Sequence, residues 1–265
     1  IEAFRKALPN VPMSVVFDTA FHQTMDAETY LYAVPYEWYE KYGIRKYGAH
    51  GTSHRYITET VKDLLKTDKF RLISCHIGNG GSVTAIKDGK CVDTSMGFTP
   101  LAGIMMGTRS GDVDPSIIPP VMEAENKTID DIINDLNKNS GVLGLSGISS
   151  DMRDIEDAYN EGNPRAVLTF NKYVQRIVDY IAQYYVRLGG ADVIAFTAGV
   201  GENSPILRKL VCDKLACLGV KLDEEKNNVR GKLTKASSDD SKVAVYVIPT
   251  DEELMIARDT LELIK

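Results

Sequence analysis

Short strand-like runs that alternate with helical patterns predict an α/β or α+β core for this chain, rather than a helical bundle or a β-sandwich. Three observations carry that expectation. Residues 14–17, 70–75, 192–197 and 243–248 are apolar runs of strand length, rich in β-branched or aromatic side chains. Residues 82–94 read as a hairpin, with Asp88-Gly89 at its turn. Between Asn163-Pro164 and Gly189-Gly190, the residues Val167, Phe170, Val174, Ile177, Val178, Ile181, Tyr185 and Leu188 trace one apolar stripe at helical period.

In chain order, the opening IEAFRKAL places Ile1, Phe4 and Leu8 on one helical face, and a start inside a helix reads as a cut piece. The run at 14–17 stops at Asp18. The run at 70–75 stops at His76-Ile77-Gly78-Asn79-Gly80-Gly81, and the run at 192–197 stops at Ala198-Gly199-Val200-Gly201-Glu202-Asn203, with Ser204-Pro205 starting a helix. The long helix takes Asn163 as its N-cap and Pro164 at its first position, and the glycine pair closes it. Thr250-Asp251-Glu252-Glu253 fits a capping box with Thr250 as the cap, so a last helix should follow. No repeat of 20–50 residues and no low-complexity linker interrupts the pattern.

Composition removes several function classes. The chain has 265 residues, 43% of them hydrophobic and 26% charged, with a net charge of -6, which argues against a nucleic-acid or anionic-membrane partner. No apolar run approaches the ~20 residues of a membrane span. Cys75, Cys91, Cys212 and Cys217 show no CxxC and no companion histidine spacing, so a zinc site and a disulfide framework are both unexpected. Free thiols and no recognisable leader make the cytoplasm the expected compartment.

The chemistry-bearing features are local. Two strands that end in glycine-rich loops let backbone N–H groups approach an anion closely. Neither loop is a P-loop, and neither makes a proper dinucleotide fingerprint. All four histidines, His22, His50, His54 and His76, fall in the first third of the chain. The segment His50-Gly51-Thr52-Ser53-His54 cannot be a core stripe without burying several polar groups. Gly107-Thr108-Arg109-Ser110-Gly111-Asp112 reads as a flexible loop carrying one arginine among acids, either a surface ion pair or a bidentate phosphate contact. Asp18 and Glu252 are the carboxylates at element ends that could meet a divalent cation.

Phe17–His22, Tyr47–His54, His76–Gly80, Gly107–Asp112 and Thr197–Asn203, taken in order along the whole chain, resemble the acetokinase family. The resemblance implies an actin-like ATPase fold of the ribonuclease H-like kind, shared with sugar kinases, chaperone ATPases and actin. It implies reversible, in-line transfer of the ATP γ-phosphoryl group to acetate, with Mg²⁺ or Mn²⁺. By the same resemblance Asp18, His50 and Arg109 are catalytic. His76, Ile77, Gly78, Asn79 and Gly80, then Asp151, Met152 and Arg153, then Gly199, Val200, Gly201, Glu202 and Asn203 hold the nucleotide. Glu252 associates with the metal, and Ala49 and Pro100 line the acetate pocket. A homodimer is also implied.

The family's usual Thr-Asn-Glu-Glu before the last helix is Thr250-Asp251-Glu252-Glu253 here, and Ala49 stands where some relatives carry Phe. The smaller residue leaves propionate or butyrate as alternative acyl acceptors. The family's opening strands and serine-rich phosphate loop have no counterpart in this chain. The expected organisation is therefore residues 1–20 as a remnant of an N-terminal domain, 21–250 as the nucleotide-binding domain, and 251–265 as a helix packing back toward the first. Weak turnover by the isolated chain is expected accordingly. A non-catalytic actin-like ATP-binding module is the rival from another class.

Overall fold

The computed structural model describes residues 1–264. Its centre is a six-stranded mixed sheet of order β3-β2-β1-β4-β6-β5. The strands are β1 (Arg71–Ile77), β2 (Gly81–Lys87), β3 (Lys90–Thr94), β4 (Val193–Thr197), β5 (Thr234–Lys235) and β6 (Ala244–Val247). β1, β4 and β6 run parallel, while β2, β3 and β5 pair antiparallel with their neighbours. The C-terminal ends of the three central strands thus share one edge, where open α/β sheets collect their ligands. The hairpin forms as its sequence predicts. Asp88 and Gly89 both take positive φ, +50° and +79°, as its two-residue turn demands.

Strand alternation divides the core in two. Ile73, Cys75 and Ile77 of β1, with Val83, Ala85, Ile194 and Phe196 beside them, face the helix Pro164–Arg187. That helix buries Phe170, Val174, Ile177, Val178 and Ile181 of the expected stripe, and adds Tyr173 and Tyr184. Each such aliphatic or Phe side chain contributes roughly 1.5–3 kcal/mol on burial. Asn163 Oδ1 accepts from the Arg165 and Ala166 N–H groups, so the predicted cap is the real one. On the opposite face Leu72, Ile86, Val193 and Ala195 pack against Ile57 and Val61 of the helix Gly51–Leu65. Helix, sheet and helix make three layers, the α/β arrangement expected.

The second face changes character along its strands. Beyond Leu72 the same side of β1 presents Ser74 and His76, and β2 presents Thr84 and Ser82 beyond Ile86, all of them buried. The apolar half anchors the Gly51 helix. The polar half lies at the ligand edge, under His54, and positions the site.

Three expectations need correction. Residues 14–17 form no strand; Val15 and Phe17 are 58% and 67% exposed, because no neighbouring strand supplies a ladder there. The helix Glu2–Ala7 forms as its pattern predicts, with Ile1, Phe4 and Leu8 exposed. Ala198–Asn203 is a short helix, not an open loop, entered through Ala198 at φ +63°. Thr250 does not cap the last helix, Glu252–Ile264; Asp251 Oδ1 accepts from the Leu254 N–H at 2.9 Å and caps it instead. The Asp for Asn exchange therefore falls on a cap position, where both residues serve equally.

The last helix packs on the Gly51 helix through an Arg55 Nη1–Asp259 Oδ2 pair at 2.7 Å, and Thr260 meets Ser14 by a 2.6 Å hydroxyl contact. Lys265, part of the expected final segment, lies outside the described residues. Among the described residues no helix is long and apolar enough to cross a membrane. The four cysteines are free thiols; Cys217 is exposed and the other three are buried.

Candidate active site

At the C-terminal end of β1 the chain turns through Gly78, whose N–H donates to Gly80 O at 3.0 Å, and enters β2. The space over Gly80 is the focus of the site. A Cβ there would lie 3.5 Å from Arg109 Nη1 and 3.6 Å from His50 Nε2, so a guanidinium and an imidazole converge on one point. Only a residue without a side chain leaves that point free for a ligand.

The Arg109 loop, expected to be flexible, is pinned. Backbone N–H groups of Ser140, Val142 and Leu143 donate to the carbonyls of Thr108, Met106 and Gly107 at 2.9–3.0 Å. Gly141 permits this approach at φ +61°, since a Cβ would stand 2.2 Å from Met106 O. The neighbouring acids are engaged elsewhere: Asp112 meets Arg176, Tyr180 and the Gly103 N–H, and Asp114 caps a turn at Ser116. Arg109 donates to Pro100 O at 3.3 Å and makes no ion pair among the described residues. The surface ion-pair reading of Arg109 thus finds no partner, and its charge is available to an anion.

His50 enters the Gly51 helix at φ +58°. Its N–H donates to Asp18 Oδ2 at 2.6 Å, the Gly51 N–H donates to Asp18 O at 2.8 Å, and the Thr52 N–H reaches Asp18 Oδ1 at a long 3.5 Å. Asp18 therefore closes the N-terminus of that helix, where a carboxylate is favourable. Gly51 is required for this closure, because a Cβ would fall 2.2 Å from Asp18 O. The His50 and His76 rings stack, with centroids 4.0 Å apart. Burial pushes His50 down to about 4, against the raising effect of Asp18, and pushes His76 down to about 3. Both are neutral hydrogen-bonding groups at neutral pH. His22 and His54 are held neutral by burial as well. His22 Nε2 donates to Ala49 O at 2.8 Å and so fixes the residue expected in the acyl pocket.

Next to this point lies a cleft of about 670 Å³ between Gly78-Asn79, the helix Met152–Asn160 and the helix Ala198–Asn203. Of the expected nucleotide residues, Gly78, Asn79, Asp151, Met152, Arg153, Gly199, Val200 and Asn203 line it. The other five do not line it. Ile77 is core, His76 stacks on His50, and Gly80 belongs to the Arg109 focus. Gly201 packs on Ile77 and Phe196, and Glu202 Oε1 accepts from the Thr250 N–H at 3.1 Å. Arg153 folds back on Asp151 in a bidentate pair, which holds that carboxyl low, at about 2.

Gly107, Ser150, Glu156, Ser204 and Arg230 also line the cleft and were missed by sequence reasoning. Glu156 was within reach, since it sits one turn after Met152 on the same helical face. It hydrogen-bonds Ser204 Oγ, and burial raises its carboxyl. Arg230 follows Asn227-Asn228-Val229, a stretch with no periodicity to flag it. Its Nη1 donates to Asn203 O at 2.7 Å. Beneath it Arg208 is fully buried and donates to Asn227 Oδ1, Asn227 O, Val229 O and Gly201 O.

Asp18 and Glu252 are the carboxylates available for a cation. They lie close enough that Asp18, after burial, is the main charge raising the Glu252 carboxyl. Among the described residues no cluster of three or more metal-ligating side chains exists. One or two carboxylates suit Mg²⁺, which keeps several waters and takes its remaining ligands from phosphate oxygens. The residues present fit such an ion.

Residues 1–258 match the acetokinase family. The chain is 59% identical to an acetate kinase of Treponema denticola across its whole length, and spans 67% of that relative. Among solved structures it superposes on Porphyromonas gingivalis acetate kinase with a TM-score of 0.96 at 49% identity, covering 100% of this chain and 67% of that one. A propionate kinase from Francisella tularensis superposes with a TM-score of 0.94 at 43% identity, covering 98% and 67%. The chain thus spans about two thirds of the length of these relatives. Sequence, three-layer α/β architecture and site agree: this chain belongs to the acetokinase family, with its actin-like ATPase fold.

Proposed function

We propose that this chain carries acetate kinase chemistry, the reversible transfer of the ATP γ-phosphoryl group to an acetate oxygen. The observation that supports it most is the convergence of an unpaired Arg109 guanidinium and a neutral His50 on the open space over Gly80. The adenine nucleotide lies in the cleft beside Asn79, Met152 and Val200, with its phosphates reaching toward Gly80. An acetate oxygen forms the new bond to phosphorus as the bond to the β,γ-bridging oxygen breaks, and ADP leaves with that electron pair. No proton is needed, so the protein's task is positioning and charge stabilisation. Arg109 and His50 donate to the equatorial oxygens of the phosphoryl group. Asp18 holds His50 by its backbone, and Asp18 with Glu252 would hold Mg²⁺, which neutralises phosphate charge when bound.

A sensor that only binds ATP needs a phosphate cradle but no unpaired arginine beyond it. Acetyl phosphate formed from Mg²⁺-ATP and acetate, trapped as the hydroxamate, tests the proposal on this chain, with the Treponema denticola relative as control. Arg109→Ala should lower kcat by about 10²–10³-fold with nucleotide affinity nearly unchanged. An unaltered rate in that variant would sink the kinase reading of Arg109. The small Ala49 and the propionate kinase relative make propionate the second acceptor to assay. The family homodimer is a proposal of the same kind, checked by sedimentation.

A further inference from the structure

Behind His50 runs a buried chain of hydrogen bonds that leads away from the cleft. His50 Nδ1 lies 2.8 Å from Ser82 Oγ, which lies 2.8 Å from His54 Nε2, and His54 Nδ1 lies 2.9 Å from Ser74 Oγ. Ser74, Ser82 and His54 have no solvent exposure at all. The Gly51 helix supplies His54, while β1 and β2 supply the serines from the polar half of the sheet face.

Each hydroxyl in this chain has one proton, and each neutral imidazole has one N–H and one bare nitrogen. The chain can therefore be filled in three ways. In one, Ser82 accepts from both His54 Nε2–H and His50 Nδ1–H, and its own proton is left without an acceptor among the described residues. The other two run in one direction throughout and leave opposite tautomers on His50. If Ser74 donates to His54 Nδ1, then His54 Nε2–H donates to Ser82, Ser82 donates to His50 Nδ1, and the His50 proton sits on Nε2. If the order reverses, the Ser74 proton is left without an acceptor in the core and His50 Nε2 is bare. His54 Nδ1 is the one hydrogen-bond partner of Ser74 Oγ among the described residues, so the reversed order buries an unsatisfied donor, and the forward order is favoured.

We propose that Ser74 and Ser82, acting through His54, are positioning residues that fix His50 as the Nε2-protonated tautomer, aimed over Gly80. The inference rests on the reading of His50 as the group that faces the phosphoryl oxygens. A bare Nε2 would set a lone pair against those oxygens, whereas Nε2–H donates to them. Ser74 is thus coupled to the reacting centre through His54, Ser82 and His50, and touches nothing that reacts.

The test is a long-range proton–nitrogen correlation spectrum of this chain labelled with ¹⁵N-histidine, the His50 signals being assigned by their loss in His50→Gln. The parent should show His50 as a single Nε2–H tautomer. Ser74→Ala should give a mixture of both tautomers, and Ser74→Thr, which keeps the hydroxyl, should restore the single form. Should Ser74→Ala not fold, Ser82→Ala asks the same question two hydrogen bonds closer to His50. In a form that turns over, Ser74→Ala should lower kcat about three- to tenfold with KM for ATP unchanged, through partial loss of one transition-state donor. An Nδ1-protonated His50 in the parent, or a His50 pattern indifferent to both alanine variants, overturns the relay. The spectrum needs no turnover, which separates the two ideas. A tautomer that responds to Ser74→Ala, in a chain where His50→Gln keeps the full rate of acetyl phosphate formation, supports the relay and overturns the functional reading. An indifferent tautomer beside a rate lost in Arg109→Ala does the reverse.

Discussion

Replacing Arg208 by methionine removes a cation that the core holds without any carboxylate. Its Nε donates to Asn227 Oδ1 at 2.8 Å, Nη1 to Gly201 O at 2.8 Å, and Nη2 to Asn227 O at 2.7 Å and Val229 O at 2.8 Å. Four bonds to a charged donor, at about 1.5–3 kcal/mol each, contribute roughly 6–12 kcal/mol before the cost of burial. That cost, several kcal/mol for an ion without a counter-ion, opposes them. It is visible in the guanidinium itself, which burial pushes down to about 10 while leaving it charged at neutral pH. Methionine recovers part of the packing and takes a charged donor from four acceptors, of which Asn227 O keeps the Val229 N–H, so the expected loss is about 3–5 kcal/mol. Equilibrium urea unfolding measures it as a lower midpoint at unchanged slope. ATP affinity should fall too, because the 227–230 segment that carries Arg230 into the cleft loses its anchor. A loss under about 1 kcal/mol would show that burial cost cancels the bonds, and would refute the claim that Arg208 holds this corner together.

Asp251→Ala should destabilise by about 1 kcal/mol through loss of the Leu254 cap, while Asp251→Asn stays within a few tenths, both read from thermal midpoints. Gly51→Ala would normally stabilise a helix by about 1 kcal/mol. Here the Cβ meets Asp18 O at 2.2 Å, so unfolding should instead show a clear loss, and a gain would refute the closure described for Asp18. His50 and His76 have folded values of about 4 and about 3, below the unfolded value near 6.5, so the unfolded chain binds more protons in between. Stability should be level above about pH 6.5 and fall as pH drops from there toward 4, with a shallower fall in His76→Gln; a flat profile across that window would contradict burial of neutral histidines. A thiol reagent applied to the native chain should modify Cys217 alone, since Cys75, Cys91 and Cys212 are buried.

The parts of the fold governed by local rules were legible in the sequence. The Asn163-Pro164 cap, the Asp88-Gly89 turn and the stripe from Phe170 to Ile181 depend on residues close in sequence, and each formed as expected. The run at 14–17 has strand propensity, but propensity without a neighbouring ladder makes no strand. Thr250 and Asp251 were both eligible caps, and the choice was made by tertiary contact: the Thr250 hydroxyl meets Ser53 Oγ at 2.9 Å, which leaves Asp251 to the helix. The glycine loop after β1, His50 and Arg109, each singled out in the sequence, come together over Gly80. The division of labour among the histidines was not legible, because it depends on which strand face carries Ser74 and Ser82. Arg208 and Arg230 were invisible for a similar reason, as their partners are mostly backbone carbonyls, which no side-chain pattern reveals.

The site is gathered from distant stations on the chain. Ser53 meets Thr250 across 197 positions, Arg55 meets Asp259 across 204, and Asp18 lies near enough to Glu252 to raise its carboxyl. Contacts of such span close late, since the entropy of the intervening loop must be overcome before they yield anything. No residue of the last helix lines the cleft, so the sheet, the Pro164 helix and the cleft can assemble before that helix docks, and the final docking is what brings Glu252 to Asp18. In refolding, the Mg²⁺-dependent part of the signal from a fluorescent ATP analogue should therefore rise after the helical signal has settled, and that lag times the arrival of Glu252 beside Asp18.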